Sequence, residues 1–159
     1  MALRRILTEE DDTLRRKSRP VTEVNDRIRG ILDDMVETMR SANGVGLAAP
    51  QVGILRRMFV VQVDEDMVYE LINPEIVETD GDQYGEEGCL SVPGYVGLVH
   101  RPEYVRIKGL DRNGKPVEYE GEGLLARAFM HEYDHLDGVM YTQKADDIHY
   151  AAAEEEDEE

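Results

Sequence analysis

A chain of 159 residues with a formal net charge of −17 and one cysteine reads as one domain over residues 1–150, long enough to bury about 68–70% of its unfolded surface without disulfides. The acidity excludes non-specific nucleic-acid binding, which needs a basic footprint, and no apolar run is long enough to span a bilayer. With no secretory h-region and no partner for Cys89, a reducing, cytoplasmic location is expected; residues 151–159, mostly acidic, read as a disordered, solvated tail.

Residues 1–23 read as irregular, with a helical turn near Asp11 to Arg16. Asn25 or Asp26 caps a helix whose apolar positions are Ile28, Ile31, Leu32, Met35, Val36 and Met39; it ends near Ala42, before Asn43-Gly44. From Gly44 to Gly53 the glycines and Pro50 argue against a regular element. Arg57 to Val63 and Tyr69 to Pro74 are predicted strands, with a short one at Ile76 to Glu78. Asp80 to Gly94 reads as loop. Tyr104 to Lys108 and Val117 to Glu120 form a hairpin about the turn at 111–115. A second helix runs from near Glu122 to Leu136 and stops at Asp137-Gly138; Ala145 to Ala153 is the one place left for a C-terminal helix.

The second helix carries His131-Glu132-Tyr133-Asp134-His135. Histidines four apart share a helix face, so both rings can reach one metal ion, and the intervening glutamate can serve as a general base. A catalytic site of this type takes a third protein ligand. The glutamates after His135 lie in the acidic tail, a poor place to hold a ligand rigidly. Cys89 offers a strong soft donor in a glycine-flanked segment.

Three segments together resemble the motifs of bacterial peptide deformylases: Gly44 to Gln51, Glu87 to Ser91 and His131 to His135. The similarity covers most of residues 20–142. It implies that Cys89, His131 and His135 hold a divalent metal, natively Fe²⁺, with Zn²⁺, Ni²⁺ or Co²⁺ able to replace it. It also implies hydrolysis of the formyl group from formyl-methionyl nascent peptides, with Glu132 as base and the Gln51 amide and Leu90 N–H stabilising the oxyanion. Further implications are substrate pairing along Gly44-Val45-Gly46, a methionine pocket from Val45, Leu124 and Ala128, and a supporting Glu87–Arg101 ion pair. A monomer contacting the ribosome, and neither membrane nor nucleic acid, is expected. The chain departs from the pattern at Met130, where many relatives have glutamine, and at Val96, where some carry a substrate-contacting arginine. The alternatives are an HExxH zinc endopeptidase and a non-enzymatic binding module. The expected fold is α+β, with antiparallel strands around the central metal-binding helix and the N-terminal helix packed outside.

Overall fold

The computed structural model describes residues 2–151; beyond Ala151 the tail expected to be disordered lies outside the described residues. Helix α1 spans Asp26–Ser41, and the Asn25 side chain caps it by accepting from the Ile28 N–H. Ile28, Ile31, Leu32, Met35 and Met39 form its buried stripe, as their spacing requires. Strands β1 (Gly46–Ala48), β2 (Met58–Val61), β3 (Tyr69–Asp80), β6 (Tyr104–Leu110) and β7 (Pro116–Glu122) make an antiparallel sheet in the order β1-β2-β3-β6-β7. A second antiparallel sheet has the order β4-β5-β8, from Gln83–Cys89, Val92–Arg101 and Asp146–Tyr150. Helix α2 spans Leu124–Leu136.

The larger sheet is covered on both faces, which explains why all four residues of β2 are buried. Met58, Val60 and Ile72 pack with the α1 stripe, while Phe59, Val61 and Leu71 pack with Ala126, Ala128, Phe129 and Leu136 of α2. The period-two alternation of β2 and β3 thus sends one set of side chains to each helix. The fold is the expected α+β arrangement, with α2 enclosed by strands and α1 on the outer face. A third cluster of Leu14, Val92, Val99, Met140 and Tyr141 fills the base of the smaller sheet.

Four local expectations are corrected. Gly46–Ala48 is a strand, because pairing with Phe59–Val61 supplies the regularity that composition disfavours. The expected loop at Asp80 to Gly94 is mostly the β4–β5 hairpin. Its glycines answer to crowding: a Cβ on Gly85 would lie 3.3 Å from Arg127 Nη2. Ile76 to Glu78 continues β3 after an irregularity at Asn73, whose φ of 52° is stabilised by side-chain hydrogen bonds to both the N–H and the carbonyl of Val21. In place of a helix after Ala145, Asp146–Tyr150 adds β8 to β5.

Phe59 sits wholly buried between sheet and α2, its ring 6.3 Å from that of Phe129. Phe59→Ala is expected to cost about 3–5 kcal/mol, read as a lower midpoint in chemical denaturation.

Candidate metal centre

His131 and His135 lie one turn apart on α2, and their Nε2 atoms converge to 3.2 Å. The sulfur of Cys89, at the end of β4, lies 3.4 Å from His135 Nε2. The three donor atoms all fall within 4.8 Å of one another, and this is the one such grouping among the described residues. Both imidazoles are buried and Cys89 is half-buried.

The orientation of His131 is fixed from behind. Its Nδ1 lies 2.5 Å from Glu87 Oε1. The Glu87 carboxylate also accepts from Arg101 Nη2 at 2.6 Å and Arg101 Nε at 3.1 Å, so the ion pair expected between these residues forms and is buried. Burial alone would raise the Glu87 carboxyl, but hydrogen bonds from His131 and Arg101 outweigh it and hold the group well below the usual carboxylate range. An ionised carboxylate only accepts, so Nδ1 carries a proton toward Glu87, and Nε2 is the nitrogen turned to the other two donor atoms.

Glu132 lies beside this group, 3% exposed, with Oε1 lacking a hydrogen-bond partner among the described residues. Burial pushes its carboxyl up to about 7, against the pull of His131; a bound cation would lower it again. Gly46 makes room for it, since a Cβ there would lie 2.4 Å from Glu132 Oε2. His135 is held well below the usual imidazole range by burial and by His131. The neutral ring that results is the form that coordinates metal.

Gln51 lies in the 3-10 turn Ala49–Val52 and is 1% exposed. Its Oε1 accepts from the Ala48 N–H at 2.9 Å, which turns the NH₂ group toward Cys89 Sγ, 3.5 Å away, and Ser91 Oγ, 3.1 Å away. One sulfur, two imidazole nitrogens and an unpartnered buried carboxylate oxygen suit a divalent transition metal.

A cleft of about 540 Å³ opens onto this group. Gly44, Val45, Gly46, Leu90, Leu124 and Ala128 all line it, as do Glu87, Cys89, His131, Glu132 and Gln51. Of the residues singled out in the sequence, Arg101 and His135 stand behind the lining. Four buried contributors were not foreseen: Ser91, Arg127, Asp134 and Tyr141. Arg127 precedes His131 by one helical turn, a spacing that could have flagged it. Tyr141, whose ring stacks near His131, donates to the Tyr95 carbonyl from another region of the chain and left no local signal.

Residues 3–150 match the family model for polypeptide deformylase. The chain is 51% identical over 164 residues to a peptide deformylase of Lachnoclostridium phytofermentans, covering 100% of this chain and 99% of that one. It is 56% identical over 145 residues to a peptide deformylase of Thermoanaerobacter pseudethanolicus, covering 91% of each. A crystal structure of a peptide deformylase from Legionella pneumophila superposes with a TM-score of 0.89 at 43% identity, over 92% of this chain and 88% of that one.

Glu87→Gln keeps the shape but removes the charge that orients His131. Its affinity for a divalent metal, read by competition with a chelator, is expected to fall about 10–100-fold.

Proposed function

The chain belongs to the polypeptide deformylase family, metal-dependent hydrolases that remove the N-formyl group from nascent peptides, and we propose that in this member Cys89, His131 and His135 hold the ion while Glu132 moves the proton. The observation that carries this reading is the meeting of one sulfur and two imidazole nitrogens beside a buried, unpartnered carboxylate oxygen. The donor set accepts Fe²⁺, taken as the native ion, and also Zn²⁺, Ni²⁺ or Co²⁺. An Fe²⁺ centre with a thiolate ligand is oxygen-sensitive. A divalent ion held there supplies Lewis acidity and brings the pKa of water close to neutrality.

The protein's own groups then have defined tasks. Glu132 takes a proton from the water that attacks the formyl carbon. When the carbon–nitrogen bond breaks, it returns that proton to the departing amine and formate is released. Such proton transfer is worth about 10²–10⁴-fold. Gln51 Nε2 and the Leu90 N–H donate to the formyl oxygen as it gains charge, each worth about 2.7–4 kcal/mol of barrier. The Ala48 N–H bond to Gln51 Oε1 keeps that NH₂ aimed inward.

The peptide pairs with Gly44-Val45-Gly46. In support, β1 is an edge of its sheet, with one side already taken by β2. Val45 and Leu124 line the cleft and are 43% and 52% exposed, so their apolar surface is open to a bound side chain; with Ala128 they form the methionine pocket. Residues 1–150 act as one catalytic domain, a cytoplasmic monomer that meets nascent chains at the ribosome. No helix among the described residues is long and apolar enough to cross a membrane. An HExxH endopeptidase would draw its third ligand from beyond His135; the donor that meets the imidazoles is Cys89.

Anaerobically prepared protein is expected to release formate from formyl-Met-Ala and to leave unformylated peptides intact; internal cleavage without formate would refute the reading. Glu132→Gln should retain its metal while kcat falls about 10²–10⁴-fold. Gly46→Ala forces the Glu132 carboxylate aside without touching a ligand, so kcat should fall while metal content stays at one ion per chain.

A further inference from the structure

Glu87 and Asp134 are buried carboxylates that share one guanidinium. Arg101 donates to Glu87 through Nε and Nη2 and to Asp134 through Nη1 at 2.6 Å. One cation does not balance two buried anions, and each carboxylate has a second of its own. For Asp134 this is Lys144, whose Nζ lies 2.9 Å from Oδ2 and whose side chain is 45% exposed. For Glu87 it is Arg127, whose Nη1 lies 2.7 Å from Oε2 and whose side chain is 7% exposed.

Arg127 does more than balance charge. Its Nη2 donates to the Val99 carbonyl at 3.1 Å and its Nε to Gln83 Oε1 at 3.3 Å. Val99 belongs to β5 and Gln83 to β4. One planar fork on α2 therefore reaches three acceptors: the carboxylate that orients His131 and one residue on each strand of the hairpin that carries Cys89. The sulfur and the imidazoles come from different elements, and their separation is set by how α2 sits against that hairpin. Arg101 spans the same gap in the opposite sense, from β5 to Asp134 on α2.

We propose that Arg127 is a positioning residue of the metal centre: it clamps Glu87 against His131 and locks the histidine helix to the hairpin bearing the thiolate. This inference rests on the ligand set proposed above.

The test uses the full chain, loaded anaerobically with Co²⁺, as wild type, Arg127→Met and Arg127→Lys. Wild type is expected to show a thiolate-to-cobalt charge-transfer band. Arg127→Met should shift the visible cobalt bands and weaken Co²⁺ binding about 10–100-fold in chelator competition. Arg127→Lys keeps the charge but cannot reach three acceptors at once, so its spectrum and affinity should fall between the two. Denaturation of the metal-free chains separates stability from these readouts. A wild-type cobalt spectrum and affinity in Arg127→Met, whatever its stability, would overturn the proposal. If Arg127→Met does not fold, the same result in Arg127→Lys would do so. A wild type lacking the charge-transfer band would instead refute the ligand set, and this inference with it.

Discussion

The Glu87 carboxylate is the fixed point of the structure. Two bonds from Arg101, one from Arg127 and one from His131 converge on its two oxygens, which fills the acceptor capacity of a carboxylate. Burying such a group is costly, and an ion pair of this kind often contributes little net stability compared with apolar residues in its place. What it contributes is placement. It fixes the protonated nitrogen of His131 and joins the helix bearing two donors to the hairpin bearing the third. Removing one member leaves a charge buried without its partner, so the network tolerates little change.

The sheet gives this arrangement a rigid base. Because β2 and β3 send alternate side chains to α1 and α2, the two helices press on opposite faces and α2 is held along its length. Both faces of β2 are therefore structural, and the chemistry moves to the sheet's edge. There β1 runs past the cleft, with Gly46 leaving space for the Glu132 carboxylate. Gly46 thus borders the buried Glu132 carboxylate from a strand that lies at the edge of its sheet. This economy of position explains why small residues crowd the stretch from Gly44 to Ala49.

Elements with a clear period were legible in the sequence. The α1 stripe from Ile28 to Met39, its Asn25 cap, the hairpin around 111–115 and the helix carrying His131 and His135 all lie where spacing put them. The glycine-rich strands were not legible. In β4 and β5 glycine marks close approach by Arg127 and β8 instead of a free loop, and that information resides in distant parts of the chain. β8 itself is a strand because β5 offers it a pairing edge, which outweighs the local preference of its residues. At the site, two donors followed from helical spacing alone, and Cys89 followed from the lack of another credible donor and from family resemblance. Arg127 escaped because its partners, Gln83, Glu87 and Val99, are far from it in sequence.

The central claim is that one sulfur and two imidazole nitrogens share a single ion. X-ray absorption fine structure of the zinc-loaded chain tests this most directly. The account predicts one sulfur at about 2.3 Å and two imidazole nitrogens at about 2.0–2.1 Å. A shell of nitrogen and oxygen alone, with no sulfur contribution, would contradict it.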